Sequence, residues 1–197
     1  KIQLIDNPIA QKMITPIDNN YKGLVSITGP TRSGKSQLAE FLIKNQKSVT
    51  YIATSKPRPN DLDWQQRIDL HRKRRPDKWK LIEHPIDICK AIESMRGNQS
   101  ILIDSIGGLV EQHLREDEAE WKIFQDKFLN CLIENNFCIV VVSEEVGWGI
   151  VPATPLGHLF RERHSTLTSL ISCRSNKRLL AVSGIALDLD QIGEHIP

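Results

Sequence analysis

Long apolar runs, paired cysteines, internal repeats and a marked charge of either sign are all missing from this 197-residue chain, and each absence closes a class of function. No stretch approaches the roughly 20 apolar residues that cross a bilayer, and Lys1 opens a polar segment unlike a signal peptide. A cytoplasmic protein without a membrane partner is therefore expected. With 26 Lys and Arg against 24 Asp and Glu, the net charge of +2 offers nucleic acid no whole-surface attraction, and none is expected as a partner. The four cysteines, Cys89, Cys131, Cys138 and Cys173, form no C-x-x-C pair, so reduced core thiols are expected rather than disulfides or a zinc site. What remains, 40% apolar residues over this length, suits one globular domain with a substantial core. Residues 1–22, interrupted by Pro8 and Pro16, read as an amino-terminal extension with one short strand from Ile2 to Ile5; residues 23–197 read as a single nucleotide-binding domain.

The motif that is present is specific. Gly29-Pro30-Thr31-Arg32-Ser33-Gly34-Lys35-Ser36 satisfies G-x-x-x-x-G-K-[ST], the phosphate-binding P-loop. The apolar, β-branched run Gly23 to Thr28 precedes it as a buried strand, and Leu38, Ala39, Phe41, Leu42 and Ile43 follow at helical spacing, which is the required order of strand, loop and helix. Gly29 and Gly34 allow backbone angles that turn successive N–H groups towards a phosphate chain at the helix amino terminus. Lys35 is then placed to reach the β- and γ-phosphates and Ser36 to ligate Mg²⁺.

From there strands and helices alternate. Strands are expected at Ser48 to Ala53, Trp79 to Ile82, Ser100 to Asp104, Phe137 to Val142 and Leu179 to Val182. Helices are expected from about Asp61 to Arg74, from Pro85 to about Met95 and from Glu118 to Asn136, with one more after the loop Glu144 to Pro155. Continuous apolar strands separated by helices imply an α/β fold of P-loop NTPase type, a mostly parallel sheet with helices on both faces.

Asp104 ends an apolar strand, where open α/β sheets collect ligands, and fits the second Mg²⁺-organising acid; the competing reading is a helix cap. In Arg67 to Trp79, basic residues crowd a single histidine. On a helix His71 faces Arg67, Arg74 and Arg75, and like charges bias the imidazole towards its neutral form, a competent nucleophile towards phosphorus. Charge pattern alone favours a solvated basic face or a nucleic-acid patch. Glu145 reads either as an aid to Mg²⁺ or hydroxyl activation or as a loop carboxylate bonding nearby backbone. Gly147 and Gly149 read as a mobile or ligand-approaching loop, or as turn geometry alone, and Trp148 as an exposed contact or a loop anchor. His84, His113, His158, His164 and His195 lack metal-ligand spacing and read as ordinary surface or partly buried histidines. Trp121, Phe124, Phe128, Leu132 and Ile133 share a helix face suited to core or subunit interface.

Taken together, the P-loop, Tyr51-Ile52-Ala53-Thr54, Arg67-Ile68 with His71-Arg72, Arg75-Pro76 and Trp79, Asp104, Glu145-Val146-Gly147 with Gly149-Ile150-Val151-Pro152, and Ser183-Gly184 resemble the bifunctional adenosylcobinamide kinase / adenosylcobinamide-phosphate guanylyltransferase family. The similarity runs from about Gly23 to Leu189. It implies phosphorylation of the aminopropanol hydroxyl of adenosylcobinamide with ATP or GTP, then transfer of GMP from GTP onto that phosphate through a guanylylated histidine, which falls on His71. It also implies a homo-oligomer, typically a trimer. Lys35, Asp104 and His71 are the expected catalytic residues. Thr54, Arg75 and Glu83 join the P-loop residues Gly29 to Ser36 as expected nucleotide contacts, and Ser36 and Asp104 are the expected Mg²⁺ ligands.

The chain departs from the family pattern in identifiable places. Where the family reads D-C-x-T-x-W-x-T-N, this chain has Asp104-Ser105-Ile106-Gly107-Gly108-Leu109-Val110-Glu111-Gln112. Glu144 replaces an Asn, His158 an Arg, Glu162 an Asp, Ser165 a Gly and Thr168 an Asn. Two readings follow: an enzyme with the same reactions, or a homologue that keeps nucleotide binding as a regulatory or assembly protein.

Overall fold

The computed structural model describes residues 13–97 and 99–196, so the short strand expected at Ile2 to Ile5 lies outside the described residues. Strands β1 (Gly23–Thr28), β2 (Val49–Ala53), β4 (Ser100–Asp104) and β5 (Cys138–Val142) form the centre of one seven-stranded sheet. Strands β3 (Lys80–Glu83), β6 (Lys177–Val182) and β7 (Ile185–Asp188) complete it in the order β3-β2-β4-β5-β1-β6-β7. Every pair is parallel except β6 with β7.

Both faces of the central strands are apolar, and alternate residues feed two separate cores. Ile101, Ile103, Ile139 and Val141 point to one side, against α3 (Ile88–Glu93), α4 (Ile106–Gln112), α5 (Glu118–Glu134) and α6 (Pro155–Arg174), whose Ile92, Leu109, Phe128 and Leu167 are buried there. Val25, Ile27, Leu102, Val140 and Val142 point to the other, against Ala39, Leu42 and Ile43 of α1 (Lys35–Ile43). The described part of the segment before β1 packs on that second side, with Ile14, Ile17 and Tyr21 on the core and Ile17 N donating to Leu42 O at 2.7 Å. Among the described residues no helix is long and apolar enough to cross a membrane.

The helix starts follow from local chemistry. Asp61 caps α2 (Leu62–Arg74) by accepting from Trp64 N at 2.9 Å, and Asp117 and Glu120 form a reciprocal capping box at α5. Asp87 caps α3, so that helix begins after Pro85 and the proline lies in the connection rather than in the first turn. Three elements escape the sequence pattern. Helix α4 carries the pair Gly107-Gly108, which lowers helix propensity; the tertiary contact needs the glycine, because a Cβ at Gly108 would lie 2.4 Å from Thr54 Oγ1 and 2.6 Å from Ser55 N. Ser183 and Gly184, both with positive φ of 50° and 77°, form the two-residue turn that folds β7 back antiparallel onto β6. Helix α7 (Leu189–Ile192) follows directly. On the face of α5, Trp121, Phe128 and Leu132 are core, whereas Ile133 is half exposed.

Replacing a helical glycine by alanine ordinarily stabilises by about 1 kcal/mol, but overpacking costs about 1–3 kcal/mol, so Gly108→Ala is expected to lower stability in urea denaturation.

Candidate functional site

The register aligns Ala53 with Asp104 and Asp104 with Val142, and Val142 in turn with Ile27, so the carboxyl ends of β2, β4, β5 and β1 share one edge. This is where open α/β sheets bind ligands, and a cavity of about 660 Å³ lies there. The phosphate loop, α2 and the ends of β2 to β5 wall it: Thr31 to Ser36, His71, Arg74, Arg75, Glu83 and Asp104 all line it. The loop has the required geometry. Gly29 and Gly34 have φ of 150° and 96°, and a Cβ at Gly29 would sit 2.2 Å from Ala181 O. Lys35 is largely buried and donates to Pro30 O at 2.7 Å across the loop.

Asp104 is not a helix cap. Ser105 occupies the cap position of α4, while the Asp104 carboxylate accepts from Tyr51 OH at 2.7 Å, with the Ser36 hydroxyl beside it. Burial raises the Asp104 carboxyl above its ordinary range, against the opposing pull of Tyr51, His71 and Ser36; burial and the same carboxylate push the Tyr51 phenol strongly up. A hard cation beside Ser36 and Asp104 would relieve that buried charge. The donor set, one hydroxyl and one carboxylate with room for phosphate oxygens and water, suits Mg²⁺. Among the described residues no three His, Cys, Asp or Glu side chains cluster as a protein-only metal cage.

Helix α2 turns His71, Arg74 and Arg75 of its basic cluster to this cavity, whereas Arg72 and Lys73 stay exposed to solvent. Arg74 Nε and Nη2 grip both oxygens of Glu40 on α1 at 2.9 and 3.2 Å. Burial works to raise the Glu40 carboxyl, but the nearby His71 ring and the hydrogen-bonded Arg74 guanidinium outweigh it and hold it below the ordinary range. Arg75 lies 4.4 Å above the Tyr51 ring. His71 Nδ1 is 3.6 Å from Glu40 Oε1, 3.8 Å from Asp104 Oδ2 and 3.2 Å from Arg74 Nη2. The helix pattern anticipates cations alone around the ring; the fold adds two carboxylates from α1 and β4, residues distant in sequence.

Thr54, expected among the nucleotide contacts, is fully buried behind the cavity wall instead. Its hydroxyl donates to Ser105 O and accepts from Ser105 N, bracing the corner after Asp104. His84 and Gln112 both bond Thr54 O. Glu145 stands outside the cavity lining, its N–H donating to Gly29 O at 2.9 Å. Gly147 O, in the loop before α6, accepts from Arg161 of that helix, and Trp148 is 61% exposed.

Sequence reasoning missed Tyr51 and Glu144 as cavity groups, Glu40 as the partner of Arg74 and His71 beside the cavity, and the contact of His164 with Glu144. His164 is fully buried, not a surface histidine, and its Nε2 lies 3.1 Å from Glu144 Oε2. Glu40 and Tyr51 stand in apolar-rich periodic runs that read as core, and nothing local marks Glu144 above its neighbour Glu145.

A family model described as cobinamide kinase / cobinamide phosphate guanyltransferase matches residues 25–189. The bifunctional adenosylcobalamin biosynthesis protein CobP of Pseudomonas aeruginosa is 31% identical over 166 residues, covering 83% of this chain and 95% of the relative. The bifunctional adenosylcobalamin biosynthesis protein CobU of Escherichia coli (strain K12) is 29% identical over 181 residues, covering 84% and 99% respectively. A solved protein of Pyrococcus horikoshii OT3 overlays with a TM-score of 0.54 at 8% identity, covering 90% of this chain and 94% of that one, which is a likeness of fold alone.

A charge-assisted contact to phosphate is worth about 1.5–3 kcal/mol, so Lys35→Ala is expected to weaken nucleotide binding about ten- to a hundredfold in calorimetric titration, with an unchanged melting midpoint.

Proposed function

The chain belongs to the cobinamide kinase / cobinamide phosphate guanyltransferase family, and from that premise we propose that it carries out both reactions in one nucleotide site. It phosphorylates the aminopropanol hydroxyl of adenosylcobinamide from ATP or GTP, then moves GMP from GTP onto the new phosphate. The observation that supports this reading is the seating of His71 over the P-loop cavity, beside Glu40, Arg74 and Asp104.

The phosphate chain lies along Gly29 to Ser36, with Lys35 on its terminal phosphates and Glu83 and Arg75 at the β2 and β3 side of the cavity. Mg²⁺ held by Ser36 and Asp104 would neutralise charge on those phosphates. In the transfer step a nitrogen of His71 bonds to the α-phosphorus of GTP and the bond from that phosphorus to the bridging oxygen breaks, releasing pyrophosphate. Glu40, facing Nδ1, orients the ring and stabilises the positive charge it acquires, leaving Nε2 as the attacking atom. Arg74 and Arg75 offset the negative charge that builds on phosphorus oxygens. The cobinamide phosphate oxygen then takes the GMP group and frees the histidine. No observation favours a purely regulatory homologue. A cytoplasmic location and a homo-oligomer belong to the same proposal.

GTP labelled at the α-phosphate, with Mg²⁺, is expected to give an acid-labile, base-stable protein adduct that disappears in His71→Asn; an unlabelled wild type would refute the transferase assignment. Glu40→Gln is expected to slow adduct formation by about tenfold or more in single-turnover labelling, with nucleotide affinity changed less than about threefold, since its role is orientation rather than binding.

A further inference from the structure

Glu144 is a carboxylate in the nucleotide cavity that the reactions above leave without a task. Strand β5 lies between β1, which delivers the phosphate loop, and β4, which delivers Asp104. Residue 144 therefore leaves the sheet between those two groups, and the next residue's N–H is tied to Gly29 O at 2.9 Å. Glu144 lines the cavity. Ser105 Oγ donates to Oε1, while Gly107 N and His164 Nε2 stand 3.2 and 3.1 Å from Oε2. A carboxylate offers about four lone-pair sites, so three donors leave about one, and the side chain keeps 34% of its surface exposed where it borders the cavity. Burial alone would raise this carboxyl; the His164 and Ser105 hydrogen bonds outweigh it and keep it an acceptor.

Of the other acids that line the cavity, Asp104 takes up Tyr51, and Glu83 ends the edge strand β3, away from the gap between the phosphate loop and Asp104; Glu40, beside the cavity, spends both oxygens on Arg74. His164, fully buried on α6, has Thr168 Oγ1 at 3.4 Å from its Nδ1, so its ring is fixed at both ends. Four positions where the chain departs from its family pattern, Ser105, Gly107, Glu144 and Thr168, meet in this one chain of contacts.

We propose that Glu144 is a catalytic base for the phosphorylation step, and that His164 is a positioning residue acting through it; this rests on the kinase reading above. The hydroxyl oxygen of the acceptor bonds to the γ-phosphorus, its proton passes to the open lone pair of Glu144, and the bond from the γ-phosphorus to the β,γ-bridging oxygen breaks to release the nucleoside diphosphate. The proton then leaves to solvent through the cavity mouth. The guanylyl step attacks the α-phosphorus with an imidazole that has no hydroxyl proton to lose, so it does not call on Glu144.

The test compares two reactions in the same full-length variants. In Glu144→Gln, general-base loss of about a hundredfold or more is expected in kcat for γ-phosphoryl transfer to adenosylcobinamide, while adduct formation at His71 falls less than about tenfold. His164→Ala is expected to lower the same kcat about tenfold, His164→Gln to recover most of that loss, and Glu144→Gln/His164→Ala to match Glu144→Gln alone, because residues acting as one unit are not additive. Phosphorylation by Glu144→Gln within about threefold of wild type, equal loss of both reactions, or additive losses in the double variant would each overturn the proposal. Absence of phosphoryl transfer in the wild type would refute the kinase reading and this inference with it, whereas an active wild type with an equally active Glu144→Gln refutes the inference alone.

Discussion

A carboxylate taken out of water at the end of β4 is the constraint that organises this molecule. Asp104 must be satisfied by donors or by a cation, because an unpaired buried charge costs more than the fold can spare. Tyr51 from β2, Ser36 from the phosphate loop and His71 from α2 all converge on it. Each comes from a different element, so the strand register and the seating of two helices are what bring them together. The same burial that makes Asp104 costly makes it useful, since a divalent cation bound beside it gains most where water is excluded.

The second consequence is the placement of α2. Its sequence is dominated by charge, with only a weak apolar stripe to hold it to the core. The bidentate grip of Arg74 on Glu40 ties it to α1 instead, and α1 is the helix that the phosphate loop opens. His71 and the phosphate loop are thereby joined through one ion pair. That contact holds the last turn of α2 with His71 and Arg74 against the cavity while Arg72 and Lys73 face solvent.

The stretch after Asp104 shows a coupled rearrangement. Small residues at Gly107 and Gly108 let α4 approach the Glu144 carboxylate and the end of β2, and the charge at Glu144 is met on its inner side by a buried histidine. Contacting residues of this kind change together because leaving any one partner unpaired is expensive. The phosphate loop keeps the family pattern, and Ser105, Gly107, Glu144 and Thr168 gather in one chain of contacts through His164.

The phosphate loop, the strand carrying Asp104 and the α/β alternation were legible because their signals are local: a glycine pattern, a continuous apolar run, a change of period. Helix α4 and strand β7 were not, since Gly107-Gly108 reads as a breaker until Thr54 is known to lie against it, and Ser183-Gly184 reads as a motif until its positive φ angles make a hairpin. The amino-acid order by itself determined that Gly29 to Ser36 form a P-loop between a strand and a helix and that a histidine stands in a basic helix. Only the tertiary structure decided that Glu40 and Asp104 face that histidine, that Thr54 braces instead of binding, and that Glu144 and not Glu145 enters the cavity. The reason is distance along the chain: those pairings join residues tens of positions apart, and strand register, which no local pattern encodes, sets which of two adjacent side chains points into the site.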